Sequence, residues 1–402
     1  MILWVTYGMP YPPNCGAGQR DYALITRVSR SFDIKLLCLV QQDATPASVN
    51  HMRRWCRTVE WVVLPPRTPM AKLRTALNQR RRGRPLAFCE YYSAELAAHL
   101  RRTVAGGGID LVQVEHSLFA PYLDFLEPLA STKTVLSFHN LARRQYRSML
   151  GMGGGWLQRA SDVLKILLTL HWEARYAARF DHCLAVSPVE LDWLHREDPR
   201  IRLGLVPNGV DVEEHRPLPA PDHGTELLFV GNLAYRPNVD AVVHFCHDIL
   251  PEVQRQMPQV ELMIVGRTPP PMVVDLQRRP GVTVYGTIPD VLPFYRRCLA
   301  TVVPLRAGGG TRLKILESMA LGRPVITTPM GCEGLQVESG RHLLVAGNAG
   351  EFAAQTVRAM SDRSLREHLT GQARRLVEEV YDWNAIAREL VGQYRQLLGL
   401  AP

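Results

Sequence analysis

Short apolar runs recur along the whole chain, separated by longer stretches with apolar residues at every third or fourth position. This alternation predicts strands joined by helices. In the first half the runs are Ile2–Tyr7, Asp33–Val40, Trp61–Leu64, Leu111–Glu115, Thr134–Phe138 and Cys183–Ser187, with helical patterns such as Gln19–Ser31 and Ala94–Val104 between them. In the second half they are Leu227–Val230, Glu261–Val265, Val282–Tyr285, Thr301–Pro304, Pro324–Thr327 and Leu343–Val345. The intervening helices are Val239–Gln256, Asp290–Cys298, Thr311–Leu321 and Glu351–Met360. Strands alternating with helices predict an α/β class with parallel sheets.

A length of 402 residues exceeds one ordinary core. The best boundary is Val206-Pro207-Asn208-Gly209, an Asn-Gly turn with a stiff entry, followed by the polar Arg216–Gly224. The prediction is two doubly wound, Rossmann-like domains over 1–204 and 205–384, facing each other across a cleft. Ligands in such sheets bind beyond the carboxyl ends of the strands. The loops Gly8–Gly18, Glu115-His116, His139-Asn140 and Gly308–Glu317 all lie at such ends.

The loop after the run at Thr301 carries the most chemistry: Gly308-Gly309-Gly310-Thr311-Arg312-Leu313-Lys314, then Glu317. Three glycines allow backbone to approach a ligand closely. Arg312 and Lys314 fall in the first turn of a helix, where positive charge opposes the dipole. An anion such as a diphosphate accounts for them. Glu317, about 1.5 turns on, is placed to accept from ribose hydroxyls. The spacing matches neither the P-loop nor the dinucleotide fingerprint.

Charge changes the picture in the first half only. Residues 1–200 hold 26 Lys+Arg against 17 Asp+Glu, while 201–402 hold 21 of each. The densest basic segment is Lys72, Arg74, Arg80-Arg81-Arg82 and Arg84, suited to an anionic partner such as a lipid surface or a phosphorylated acceptor. The stretch Leu157–Phe180 reads as an interfacial amphipathic helix or as an ordinary helix between domains. Eight scattered cysteines lack metal or redox spacing, and the N-terminal run lacks signal-peptide flanks. A reducing cytoplasm is the expected setting.

Taken together, these residues resemble the GT-B glycosyltransferases, and within them the retaining glycosyltransferase family 4. The resemblance rests on Val206-Pro207-Asn208-Gly209-Val210-Asp211, Leu228-Phe229-Val230-Gly231-Asn232-Leu233, Leu262–Gly266, Val284-Tyr285-Gly286, and Gly310–Lys314 with Leu316–Ile326. Tyr381-Asp382-Trp383 is similar to the family's ending, which implies that a last helix, 385–402, packs back on the first domain. The resemblance implies a nucleoside diphosphate sugar donor, UDP- or GDP-linked, in the second domain. Glu317 would hold the ribose, Gly286 and Ile288 the base, and Gly231 with Asn232 the diphosphate, together with Gly308, Gly309, Gly310, Thr311, Arg312 and Lys314. The first domain would take a glycan or polyprenyl-linked acceptor, with Gly16, Gly18 and Arg20 reaching the donor phosphates. Glu115, His116 and His139 would serve catalysis with Arg312 and Lys314. No metal, no further cofactor and no nucleic acid are expected, and contact with the inner face of an anionic membrane is.

Three departures stand out. Gly309 occupies the place of the family's usual first Glu. The usual Arg and Lys after Gly231 are replaced by Asn232–Asn238, so that Arg312 and Lys314 are expected to supply the charge. Glu115 takes the place of a usual His. Two other readings remain open at this point: a nucleotide-sugar epimerase on the same fold, and a non-catalytic nucleotide-sugar-binding homologue.

Overall fold

The computed structural model describes residues 1–402 apart from 127–130, 151, 153–158, 161–162, 165, 167–171, 220, 222–223 and 402. The chain divides into two compact units. The first comprises Met1–Leu150, Gly154–Pro207 and Ile386–Pro402, and the second Asn208–Ala385 with Gly151–Gly153.

The first unit is built on a seven-stranded sheet of order β3-β2-β1-β4-β5-β6-β7. Its strands are β1 (Ile2–Tyr7), β2 (Ile34–Val40), β3 (Thr58–Val63), β4 (Leu111–Glu115), β5 (Lys133–Ser137), β6 (His182–Ala185) and β7 (Leu203–Leu205). All pairs are parallel, with Ile2 opposite Ile34 on one side and Leu111 on the other. A parallel sheet covered on both faces has continuous apolar strands. Accordingly Ile2–Val5, Leu36–Leu39 and Leu111–Val112 are all buried.

The second unit repeats the plan with six strands in the order β10-β9-β8-β11-β12-β13. They are β8 (Glu226–Val230), β9 (Glu261–Val265), β10 (Val282–Tyr285), β11 (Ala300–Val303), β12 (Val325–Thr327) and β13 (Leu344–Val345). In each sheet the strand order reverses once, between β1 and β4 and between β8 and β11. That reversal splays the following loops apart and leaves a crevice.

Element boundaries differ from the sequence reading for local reasons. The first helix starts at Gly16 rather than Gln19, because Cys15 caps it with its sulfur 3.4 Å from the Gly18 amide. Two glycines with low helix propensity hide that turn in the sequence. The helix expected from Val239 starts at Arg236, with Pro237 in its first turn. It passes through a wide π turn at Phe245–Ile249 before Pro251, where the missing proline N–H interrupts the ladder. The helix expected from Thr311 begins at Leu313, with Arg312 at its cap.

Two arginines tie the segment after Pro207 to the second unit. Arg374 donates to the carbonyls of His215, Ala320 and Val212, and the buried Arg323 donates to those of Tyr295 and Pro219. Val210 also pairs with the returning chain through the Tyr381 carbonyl and the Trp383 amide. The helix Trp383–Leu398 then places Tyr394 and Gln393 within the first unit, Gln393 against His182.

Two expectations about surface charge change. Arg84 is buried, donating to Asp124 at 2.8 Å and to Gln79 at 2.7 Å, and so does not belong to the exposed basic cluster. Of the stretch 157–180, much lies outside the described residues. Its described end, Trp172–Ala177, is helical and buries Trp172, Ala174, Tyr176 and Ala177 in the first core, so that end is no interfacial face.

Candidate functional site: two crevices, one in each unit

At the reversal point of the first sheet, β1, β4, β5 and the helix Gly16–Val28 bring together a buried polar cluster. Glu115 closes β4 with no exposed surface. One of its oxygens accepts from Gln113 Nε2 at 2.6 Å, and the other pairs with His139 Nε2 at 2.7 Å. Asp21 lies behind, bonded to the Thr6 hydroxyl, with its other oxygen 3.5 Å from His139 Nε2. Arg20 is buried beside both acids and donates to the Pro207 carbonyl at 3.0 Å. Tyr394, from the last helix, donates to Gln113 Oε1.

His116 has a left-handed φ of 72°, unusual for a residue with a side chain. Its amide bonds to the Ser137 carbonyl at 2.9 Å and its ring rests on His139, with centroids 3.8 Å apart. Backbone held in this region costs on the order of 1–3 kcal/mol and gathers at functional sites. Here it turns His116 back over the crevice.

Burial dominates the titration of this cluster. It pushes Asp21 well above the usual carboxylate range, with the neighbouring Glu115 charge adding to the effect. Burial also opposes ionisation of Glu115, but the His139 bond, Arg20 and Gln113 outweigh it and hold Glu115 below its ordinary value. Burial lowers His139 despite Glu115, and lowers His116 strongly, helped by His139 and Arg20. Burial thus favours the neutral forms of Asp21, His116 and His139, while Glu115 is held toward its carboxylate. Asp21, Glu115 and His139 present three ligand atoms within 4.8 Å of one another, yet two of these are engaged in the His139–Glu115 bond.

In the second unit the crevice lies between the loops after β8 and β11. Lys314 Nζ donates to Asn238 Oδ1 at 2.9 Å and sits 4.3 Å from the centre of the Phe229 ring. A Cβ at Gly231 would come within 2.8 Å of that ammonium and 3.0 Å of the Asn238 amide. A side chain at Gly231 would push the Lys314 ammonium and the Asn238 amide from these places. Burial, then Arg312, lowers the lysine to about 7. Gly308 and Gly310 have φ values of 126° and 72°. They fold the loop so that Arg312 donates to the Gly309 carbonyl at the start of the helix Leu313–Ala320, which no side chain caps. Uncapped amides, a lysine and an arginine at one helix start form an anion cradle. Glu317 follows on the same helix, half-buried. Gly286 and Ile288 follow β10 at the same edge of the sheet, and a Cβ at Gly286 would meet open space. Asn232 is exposed, and its carbonyl accepts from Asn238 at 2.8 Å.

Two family models match this architecture in sequence. Residues 49–214 match Glycosyltransferase Family 4, and residues 224–362 match Glycosyl transferases group 1. The chain belongs to the GT4-type glycosyltransferases of GT-B fold. A Klebsiella pneumoniae protein, named only as an uncharacterized 44.6 kDa protein in the cps region, is 22% identical over 400 residues, 95% of this chain and 96% of its own. Among solved structures, the sucrose-phosphate synthase of Thermosynechococcus elongatus aligns with a TM-score of 0.72 at 19% identity, covering 99% of this chain and 100% of that one. The Anabaena protein HepE, in complex with UDP and glucose, aligns with a TM-score of 0.66 at 14% identity, covering 98% of each.

For a glycosyltransferase, the geometry sorts the candidate residues into two sets. Gly231, Gly308, Gly309, Gly310, Thr311, Arg312, Lys314 and Glu317 gather around the cradle of the second unit, with Asn232, Gly286 and Ile288 along the same edge. Arg20, Glu115, His116 and His139 gather in the first unit. Gly16 and Gly18 lie in the first turn of its first helix, just before Arg20. Arg20 is not a surface cation but the buried counter-charge of Glu115. Glu115 is fully buried, with Gln113 on one oxygen and His139 on the other. Sequence reasoning missed Thr6, Asp21, Gln113 and Tyr394. Asp21 follows Arg20 directly, and two adjacent charges facing the core side of a helix are the one signal that points to it.

The raised Asp21 carboxyl gives a signed pH prediction. An acid raised on folding favours the fold while protonated and costs stability as pH climbs from about 4 through its raised value. Asp21→Asn mimics the protonated form. Melting temperatures of wild type and Asp21→Asn between pH 4 and 8 should therefore diverge, with the wild type losing ground as pH rises. A wild type that gains on the variant with pH would show a charged, stabilising Asp21.

Proposed function

We propose that this glycosyltransferase binds a UDP- or GDP-linked sugar in the cradle of the second unit and transfers the sugar, with retention, to a glycan or polyprenyl-linked acceptor in polysaccharide or glycoconjugate biosynthesis. The observation that carries the donor assignment is the Lys314 ammonium lodged between Gly231, Asn238 and Phe229. The HepE neighbour, crystallised with UDP and glucose, is in keeping with it. Lys314 and Arg312 supply from the helix the charge of the usual Arg and Lys after Gly231.

In this reading the diphosphate lies on the Gly231 backbone and the amides at Leu313–Lys314, with Arg312 beside it and Glu317 on the ribose. The bond from the anomeric carbon to the phosphate oxygen breaks, and the growing charge on that oxygen is met by Lys314 and Arg312. The acceptor oxygen bonds to the anomeric carbon on the face the phosphate leaves, and its proton passes to the departing phosphate. His139 and His116, largely buried and neutral, orient the acceptor, and Glu115 fixes His139 from behind. Protein cations and amides serve the leaving group, and no metal is invoked.

The lowered lysine makes donor binding measurable by its protons. At pH 8 Lys314, lowered to about 7, is mostly neutral until a diphosphate arrives. Titration calorimetry with UDP and GDP, in buffers of different ionisation enthalpy, should show uptake of roughly one proton by the wild type. Lys314→Met should bind more weakly and take up none. Tight binding without proton uptake in the wild type would remove Lys314 from the diphosphate.

The acceptor is proposed to be met at an anionic membrane face. The helix Pro69–Arg81 exposes Met70, Leu73 and Leu77, spaced to share one side, with Lys72, Arg74, Arg80 and Arg81 also exposed. No acidic residue occurs between Glu60 and Glu90. Among the described residues no helix is long and apolar enough to cross a membrane. An apolar stripe flanked by cations suits a peripheral contact, each cation contributing about 1 kcal/mol near an anionic surface. Co-sedimentation should be strong with phosphatidylglycerol vesicles at low salt and weak with phosphatidylcholine. Leu73→Glu with Leu77→Glu should abolish it without altering donor binding. Equal recovery in the supernatant with both lipids would refute the contact.

A further inference from the structure

One of the buried side chains of the first crevice comes from the far end of the chain. Tyr394 is 1% exposed, and its phenol proton goes to Gln113 Oε1. A phenol has one proton to give, and a glutamine side chain has one oxygen to receive it. That bond turns the Gln113 amide nitrogen toward Glu115 Oε1, 2.6 Å away. Glu115 therefore faces a donor on this side and is stabilised as a carboxylate. As a carboxylate it can only accept, so its other oxygen accepts a hydrogen bond from His139 Nε2–H at 2.7 Å. Nε2–H is then the tautomer, and Nδ1 keeps its lone pair.

The alternative arrangement is a protonated Glu115 donating to a bare Nε2. There Glu115 Oε1 would be a carbonyl, which accepts from Gln113 more weakly than a carboxylate oxygen does, so a Gln113 nitrogen held toward Glu115 by Tyr394 favours the ionised Glu115. We propose that Tyr394, on the last helix, is a positioning residue that fixes the proton of His139 on Nε2 through Gln113 and Glu115. The relay deepens the reading above, because it rests on His139 serving the acceptor. It gives the return of the last helix to the first unit a chemical consequence: the helix sets which imidazole nitrogen is basic. Other titratable groups around the relay are Arg20 and Asp21 from the first helix, His116 above His139, Glu190 from the helix Pro188–Glu197 and Cys38 from β2. Tyr394→Phe changes none of them, and it keeps the ring edge-on to Phe32.

The test is nitrogen NMR of histidine-labelled protein, wild type against Tyr394→Phe, with Gln113→Leu as a second break in the relay. Unchanged melting temperatures would certify the fold. In the wild type His139 should show one tautomer, protonated at Nε2. In both variants the two tautomers should mix, and the His139–Glu115 titration should move to higher pH. Where transfer is assayed, kcat should fall roughly tenfold, the effect of about 1.4 kcal/mol of lost positioning, with the donor KM unchanged. A wild-type Nδ1–H tautomer, or a Tyr394→Phe spectrum identical to wild type, would overturn the relay. Shifted spectra with unaltered kcat would confine Tyr394 to structure and also overturn the proposal. If wild-type protein transfers no sugar at all, the functional reading fails, and the spectra alone support or overturn the relay.

Discussion

An ammonium enclosed by protein and bonded only to a neutral amide is poorly stable in its charged form until something negative arrives. Lys314 is in that position, held by Asn238 and resting on Phe229. Much of the second unit is shaped around it. Gly231 has no side chain because the ammonium fills the space. Gly266 has none because a Cβ there would overlap the Gly231 carbonyl at 1.8 Å. The loop Gly308–Gly310 adopts positive φ, so that Arg312 falls at the cap of the helix carrying Lys314. In the proposed reaction these cations face an anion whose charge grows, which is where fixed cations do most for a rate.

The first unit solves the opposite problem. Two buried acids lie near one imidazole, with one guanidinium between them and bulk neutrality. Their environments push them apart, Glu115 down and Asp21 up. Arg20, Gln113 and His139 together favour the Glu115 carboxylate. Both arrangements sit at the strand reversal of a parallel sheet, so one topological rule places two unlike chemistries.

Much of this was legible in the chain. Apolar runs gave every strand but the three-residue edge strand β7, only partly buried, because a strand buried on both faces leaves an unbroken signature, as in Ile2–Val5 and Leu262–Val265. The Gly308–Glu317 loop announced itself through glycines and misplaced positive charge. What was hidden depended on distance or on competing local preferences. The first turn of the first helix was masked by Gly16 and Gly18. Arg84 looked like a surface cation among neighbours that are surface cations, since only the fold brings Asp124 to it. Tyr394 stands 281 positions from the glutamine it orients, beyond the reach of any local pattern. The missing Arg and Lys after Gly231 read as a loss, and only the structure shows the Lys314 ammonium bonded to Asn238 there.

The account turns on where a diphosphate binds. Crystals of the protein grown with UDP and, separately, with GDP measure this directly. The expected result is a β-phosphate oxygen about 2.7–3.2 Å from Lys314 Nζ, lying against the Gly231 backbone and the start of the helix Leu313–Ala320, with the ribose on Glu317. A nucleotide ordered elsewhere, with Lys314 still bonded to Asn238 and the glycine loop empty, would contradict it.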